Sequence, residues 1–119
     1  MAENPGTAIV MKTIFPVADM AEAVAFYRSL GFAVEQYDDG YAWVTHRGGE
    51  ILHLGRVDTL DAAANHASAY VHVQDADAWH AGWTSDGIAA TEVIDQPWGM
   101  REFTLTDPAG NLLRVGQNL

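Results

Sequence analysis

The sequence contains no cysteine and few basic residues. Without cysteine, disulfides, thiolate nucleophiles and zinc–thiolate sites are all excluded. Six lysines and arginines stand against sixteen aspartates and glutamates, which gives a formal charge of −10 at pH 7. Because phosphate binding needs clustered lysine and arginine, this balance argues against a nucleic-acid partner. The negative charge of the whole protein could attract a cationic ligand, and it is equally compatible with a role in solubility alone.

Long apolar runs are also missing. No window approaches the roughly 18 consecutive apolar residues of a membrane span, so no membrane partner is expected. The first residues, Met1 to Pro5, contain neither the basic nor the apolar segment of a secretory signal, and we therefore expect a cytoplasmic protein. With 119 residues, nearly half of them apolar, the chain is predicted to form a single domain with one packed core over residues 1–119.

The stretch from Asp95 to Gln117 is typical of a hairpin. Phe103 to Thr106 alternates apolar and polar residues, as a half-buried strand does, and Leu112 to Val115 is the expected return strand. Between them, Asp107-Pro108-Ala109-Gly110 has the composition of a turn, because proline restricts φ and glycine can adopt a positive φ. Ahead of the hairpin, Pro97-Trp98-Gly99 places a large aromatic residue beside turn residues, where we expect it to be exposed or to contact a ligand.

Two similar halves follow one another along the chain. In the first half, Asp19 is predicted to cap a helix that ends at Gly31. Strand candidates lie at residues 12–17, 32–37, 41–45 and 51–55. With an offset of 56, Val17, Asp19 and Gly31 recur as Val73, Asp75 and Gly87. Each half therefore predicts the order β-α-β-β-β, in modules of about residues 9–56 and 66–119 that are joined by residues 57–67.

Alternation along the strands assigns side chains to two faces of each sheet. Leu52 and Leu54 are expected to face the helix, which turns His53 to the opposite, concave side. The same rule turns five further side chains to the concave side: Tyr41, Trp43, Tyr70, His72 and Glu102. Flat aromatic faces stack on planar heterocycles, and nearby carboxylates favour a cationic group. A surface for a planar, positively charged ligand is therefore predicted.

The motifs of the C-terminal half resemble a known signature. Gln96-Pro97-Trp98-Gly99, then Arg101-Glu102-Phe103 and Asp107-Pro108-x-Gly110-Asn111, are similar to the bleomycin-resistance proteins of the vicinal-oxygen-chelate superfamily, which also contains glyoxalase I and the extradiol dioxygenases. The resemblance implies an α+β fold of two βαβββ modules, which form a curled mixed sheet with helices on the outer face. It also implies a homodimer that confers antibiotic resistance by sequestering a cationic glycopeptide of the bleomycin or phleomycin type. The drug would lie in grooves between subunits, stacked on aromatic residues and chemically unchanged.

Metal-dependent members of this superfamily draw ligands, typically His, Glu or Gln, from the first and last strands of each module. The matching positions here are Lys12, His53, Ser68 and Arg114. Lysine and arginine offer only hydrogen-bond donors, and serine is a weak neutral ligand. We therefore assign no metal, cofactor or catalytic residue. A metal-dependent glyoxalase- or dioxygenase-type enzyme, or a binding protein for another planar aromatic metabolite, stays open as an alternative.

The predicted ligand-binding site joins aromatic, acidic and histidine side chains with the tryptophan turn. It comprises Glu35, Asp38, Tyr41, Trp43, His53, Tyr70, His72, Trp98, Gly99, Met100 and Glu102. Trp43 fits the core and the cavity equally well, whereas Trp79 and Trp83 are assigned to the core. Of the remaining histidines, His46 and His66 are expected to be solvated in turn or linker sequence, and His80 to lie at the boundary of the second helix.

Overall fold

The first half of the chain packs a helix against one face of a four-stranded sheet. The computed structural model describes Gly6 and residues 8–119. The elements are β1 (Ile14–Val17), α1 (Met20–Ser29), β2 (Ala33–Asp38), β3 (Tyr41–His46) and β4 (Gly49–Arg56). The strand order is β1-β4-β3-β2, in which β1 and β4 are parallel and the other pairs antiparallel. Asp19 caps α1, because its side chain accepts a hydrogen bond from the Glu22 backbone N–H at 3.0 Å.

The second half repeats this arrangement after a short 3₁₀ turn (Ala62–Ala64). Its elements are β5 (Ser68–His72), α2 (Ala76–Ser85), β6 (Ile94–Asp95), β7 (Met100–Thr106) and β8 (Leu112–Asn118). The strand order is β5-β8-β7-β6, with β5 parallel to β8. The predicted α+β fold with its repeated β-α-β-β-β order is confirmed. No helix in the described residues is long and apolar enough to cross a membrane.

One apolar core joins the helix-facing sides of both sheets. Leu52, Leu54 and Phe103 are buried on the predicted face, and the helices cover them. The two halves contact each other through these helix-facing sides. The Trp83 indole N–H donates to the Leu30 carbonyl at 2.8 Å, which confirms Trp83 as a core residue. The two halves therefore bury their apolar surface together.

The Asp107 turn ties the second half to the first. Asp107 is buried and accepts two backbone N–H groups of its own turn, at 2.9 and 3.0 Å. Its other oxygen accepts the Tyr27 hydroxyl at 2.7 Å and the Asn111 side chain at 2.9 Å. Asn111 also donates to the Pro16 carbonyl at 3.0 Å. Buried polar groups need such partners, so this network explains the acid and amide at these two positions.

Two expectations at the edges of the first sheet were wrong. The first strand was predicted from residue 12, but its pairing with β4 begins at Ile14, which lies opposite His53. His46 is half-buried instead of solvated, because its ring packs edge-on against Phe32 and Trp79, with centroids 5.7 Å from each. The turn after β3 therefore contacts the second half and is not a free loop.

Candidate ligand-binding site

Three predicted site residues form one contacting group on the open face of the first sheet. Tyr41 and Trp43 are two residues apart on β3, so they share a face, and their rings meet edge-on with centroids 5.9 Å apart. His53 lies opposite Trp43 on β4, with ring centroids 6.3 Å apart. Trp43 is half-buried on this face and does not belong to the shared core. Of the two positions that the sequence left open, core or cavity side, the structure therefore favours the cavity side.

A chain of hydrogen bonds fixes Tyr41 and His53. The Tyr41 hydroxyl lies 2.6 Å from His53 Nδ1, and His53 Nε2 lies 2.6 Å from Glu50 Oε1. Because an ionised carboxylate can only accept, Nε2 carries the proton that is donated to Glu50. In the neutral imidazole, Nδ1 then accepts from the Tyr41 hydroxyl. Glu50 was not predicted; its spacing of three residues from His53 is the only signal in the sequence.

Two of the three acidic residues assigned to the site, Glu35 and Asp38, lie on β2 at the edge of the first sheet. Glu35 is exposed and lies opposite Trp43, whereas the Asp38 carboxylate accepts the Gly40 backbone N–H at 2.7 Å in the turn before β3. Tyr37, 72% exposed, places its ring 6.0 Å from Trp43. Sequence reasoning missed Tyr37, although period-two alternation from Glu35 puts it on the same face.

Tyr70 and Glu102 meet on the open face of the second sheet. The Glu102 carboxylate accepts the Tyr70 hydroxyl at 2.6 Å and Arg114 Nη1 at 3.1 Å, and the residue is only 2% exposed. Gly116 permits this contact, because a Cβ there would lie 2.2 Å from the Tyr70 oxygen. The sequence assigned Glu102 to the ligand-binding site as an open-face residue, but in the structure Tyr70 and Arg114 cover its carboxylate.

The environment of Tyr70 changes its acidity. Burial raises the pKa of Tyr70 to about 12, and the hydrogen bond to Glu102 and the charge of that carboxylate act in the same direction. The positive charge of Arg114 opposes the shift. His72 is exposed beside Tyr70, with ring centroids 4.7 Å apart. Tyr70 is therefore a neutral, hydrogen-bonded ring on an accessible surface throughout the physiological pH range.

Trp98 lies in a tight turn between β6 and β7. The Gly99 N–H donates to the Gln96 carbonyl at 3.1 Å, and Pro97 takes the position of the turn where a restricted φ is favoured. The Gln96 N–H closes the hairpin by donating to the Met100 carbonyl at 2.7 Å. Trp98 is 61% exposed, which confirms the predicted exposure. Gly99 is also exposed and Met100 is half-buried.

The structure brings most of the predicted residues together in two separate groups. The group around Tyr41 also contains Trp43 and His53, and the group around Tyr70 also contains His72 and Glu102. Among the described residues, no hydrogen bond or ring contact joins the group around Tyr41 to the group around Tyr70. The halves contact each other through their helix-covered sides. A pocket of about 780 Å³ between the halves is lined by Tyr70 and His72 and by Glu50, the partner of His53, but not by Tyr41 or Trp98.

The positions that would hold a metal do not fit one. His53 uses both ring nitrogens for Tyr41 and Glu50, and Arg114 is paired with Glu102. Lys12 and Ser68 supply no strong metal ligand. In the part of the chain that the structure describes, no group of three or more His, Asp and Glu side chains is placed to hold a metal ion.

Two β-α-β-β-β modules, a shared core and the Asp-Pro-x-Gly-Asn turn define a two-module protein with an open face on each sheet. Residues 9–115 match the Glyoxalase/Bleomycin resistance protein/Dioxygenase superfamily, and the chain belongs to this superfamily. The match covers both modules, so the predicted resemblance is confirmed along nearly the whole chain.

The relatives include proteins named for bleomycin resistance and for bleomycin binding. The chain is 32% identical over 111 residues to a bleomycin resistance protein of Klebsiella pneumoniae, which covers 87% of both proteins. It superposes with a TM-score of 0.85 on a bleomycin-binding protein crystallised with bleomycin, at 26% identity over 94% of this chain and 100% of that one. The bleomycin-binding protein of Streptomyces verticillus, solved with copper(II)-bleomycin, gives a TM-score of 0.70 at 27% identity over 92% of this chain and 97% of that one.

Proposed function

We propose that this protein confers resistance to bleomycin-type glycopeptides by binding the drug without altering it, in grooves between the two subunits of a homodimer. The observation that carries the proposal is the exposed Trp98 in the turn between β6 and β7, together with two sheet faces that bear aromatic rings. Relatives that resemble the chain over nearly its whole length bind or resist bleomycin. Nothing in the donor set of the described residues favours a metal-dependent reaction.

The shape of one chain supports a dimer. The group around Tyr41 and the group around Tyr70 lie on separate faces, and a flat ligand is held most strongly when rings cover both of its sides. A second copy would place its second-half face opposite the first-half face of its partner, which completes two equivalent grooves. Sedimentation at micromolar protein should give twice the mass of one chain, whereas a stable monomer that still binds drug would remove the dimeric groove from the proposal.

Charge supports a cationic ligand. The formal charge of −10 attracts a positively charged drug from solution, and Glu35 is exposed beside the aromatic group of the first sheet. In a groove between subunits this carboxylate would be sheltered from bulk water, and salt screens a sheltered charge less than an exposed one. The rings would then hold the planar part of the ligand, and the carboxylate its charged end.

The test is a calorimetric and fluorescence titration with metal-free bleomycin. We expect saturation at equal numbers of drug molecules and subunits, a change in tryptophan emission, and drug that is recovered with unchanged mass. No heat and no change in emission at micromolar drug would reject the proposal. A parallel titration with other cationic heteroaromatic antibiotics tests the alternative of another planar ligand.

Metal analysis separates the binding protein from a metal-dependent enzyme. Protein purified without chelators should contain no stoichiometric nickel, zinc, manganese or iron. Titration after dialysis against a chelator should give the same affinity as before. A bound metal together with turnover of a substrate would favour the enzyme instead.

A further inference from the structure

The hairpin that carries Trp98 is paired unequally along its two strands, because β7 pairs with β8 from Met100 to Thr106 whereas β6 is short. On one side it is entered from β6, which has only two residues, paired with Arg101 and Glu102 of β7. Beyond that, the Leu119 N–H donates to the Gly99 carbonyl at 3.0 Å. On the side of β6, where so short a strand leads into the exposed turn, the hairpin is expected to move unless side chains restrain it.

Arg101 supplies such a restraint at the base of the hairpin. Its Nε and Nη2 each donate to one oxygen of Asp77 at 3.0 Å, and its Nη1 donates to Asp95 at 2.7 Å. The first contact is bidentate and ties β7 to the first turn of α2, while the second crosses the last strand pair before the Trp98 turn. The planar guanidinium suits this arrangement, because its donors have fixed directions.

A second bond fixes the same end of α2 to the sheet. Gln117 of β8, which lies opposite Arg101, accepts the Ala76 backbone N–H at 2.6 Å. Asp77 therefore belongs to a helix terminus that is itself anchored, and Arg101 connects the hairpin to a fixed point. The pairing with Arg101 holds the pKa of the Asp77 carboxyl below its ordinary value.

We propose that Arg101 is a positioning residue that fixes the Trp98 hairpin in its ligand-binding orientation through Asp77 and Asp95. The part that concerns the ligand rests on the proposed function. A turn that is already ordered loses less conformational freedom when a ligand stacks on its tryptophan. Arg101 acts through Trp98 and not by touching the drug.

The test compares Arg101→Gln, which removes the charge, with Arg56→Gln, which removes an arginine that is paired with Asp58 at 3.8 Å outside the site. Proteins are labelled with 5-fluorotryptophan, and the Trp98 resonance is assigned from Trp98→Phe. Without any drug, Arg101→Gln should shift and narrow the Trp98 resonance, and Arg56→Gln should leave it unchanged. An unchanged Trp98 resonance in Arg101→Gln overturns the proposal.

Bleomycin binding then tests the consequence for the site. Arg101→Gln should bind the drug roughly three- to tenfold more weakly, the scale expected when one mobile side chain is ordered on binding. Arg101→Lys should recover only part of the lost affinity, because an ammonium group cannot form the same bidentate pair of hydrogen bonds with Asp77. The variant with both Trp98→Ala and Arg101→Gln should bind no more weakly than Trp98→Ala alone.

The outcomes separate this proposal from the proposed function. If wild-type protein binds no bleomycin and the Trp98 resonance still depends on Arg101, the proposed function is rejected. The proposal that Arg101 restrains the Trp98 hairpin is then still supported. If the drug binds and the losses from Trp98→Ala and Arg101→Gln simply add, Arg101 does not act through Trp98 and the positioning role is rejected.

Discussion

At the scale of single residues, the two sheets place related polar groups at equivalent positions. His53 and Arg114, which an offset of 61 relates, each contact a carboxylate, and each of these networks includes a tyrosine hydroxyl. The partners are Glu50 and Tyr41 in the first sheet, and Glu102 and Tyr70 in the second. Since these polar groups satisfy one another, the tyrosine rings are oriented before any ligand arrives, which favours binding.

Replacing Trp98 by alanine should weaken bleomycin binding by more than about tenfold, because one full ring stack is lost. Trp98→Phe keeps a ring and should retain most of the affinity, which makes it the matched control. Calorimetric titration of both variants measures the effect. Equal affinities of the alanine variant and the wild type would show that the exposed indole does not contact the drug.

The acidity of Tyr70 gives a prediction about pH. Its folded-state pKa of about 12 lies above the ordinary value of 10.0, so its contribution to stability is complete below pH 10 and is lost as the pH rises towards 12. Over that interval, the free energy of unfolding should fall more in the wild type than in Tyr70→Phe. Denaturant titrations at several alkaline pH values measure this. If the free energy of unfolding fell equally with pH in the two proteins, the raised pKa of Tyr70 would be contradicted.

At the scale of elements, the turns are defined by what surrounds them as well as by their own residues. Gly31 and Gly110 both have positive φ values, 91° and 87°. A Cβ on Gly31 would meet nothing within 4 Å, whereas one on Gly110 would lie 2.2 Å from the Ala62 carbonyl oxygen. The turn after β7 is therefore packed against the connection between the halves, while the end of α1 is open.

This difference makes the two glycines a matched pair. Gly31→Ala should cost about 1–2 kcal/mol, the strain of a left-handed conformation alone. Gly110→Ala should cost a further 1–3 kcal/mol or so, because backbone must also move away from the new methyl group. Urea unfolding of both variants measures the difference, and equal losses would mean that the turn adjusts without resistance.

At the scale of the whole molecule, the two modules share a core and a buried network, so we expect them to fold as one unit. Tyr27 of α1 donates to Asp107 of the second half, and burial, with the nearby Asp107, raises the pKa of the Tyr27 hydroxyl. The contacts between halves leave one open face on each sheet. The shape of the molecule therefore follows from which faces the modules use to bind each other. The limits of the single domain and its modules, at residues 9–56 and 66–119, stay predictions.

Replacing Tyr27 by phenylalanine should lower the free energy of unfolding by about 1–3 kcal/mol, because Asp107 loses a buried hydrogen-bond donor. Tyr37→Phe is the control, since Tyr37 is exposed and its loss of a hydroxyl should change stability by less than about 0.5 kcal/mol. Both variants should unfold in a single transition. Two separate transitions in Tyr27→Phe would show that the modules are independent.

The sequence alone determined the order of elements, the faces of the strands and the exposure of Trp98. These properties depend on local chemistry, namely period-two alternation, helix capping and turn composition, which act over a few residues. The motif after β7 also identified the superfamily, because a buried turn tolerates few residue types.

Only the tertiary structure decided which polar groups meet. Glu102 has the alternation of an open-face residue, but it is covered because Tyr70 and Arg114 reach it from other strands, and nothing near it in sequence indicates this. Arg101 acquires its partners in the same way, from α2 and β6, whereas Glu50 meets His53 three residues along its own strand. Contacts between distant segments depend on packing in three dimensions, and no local pattern encodes them.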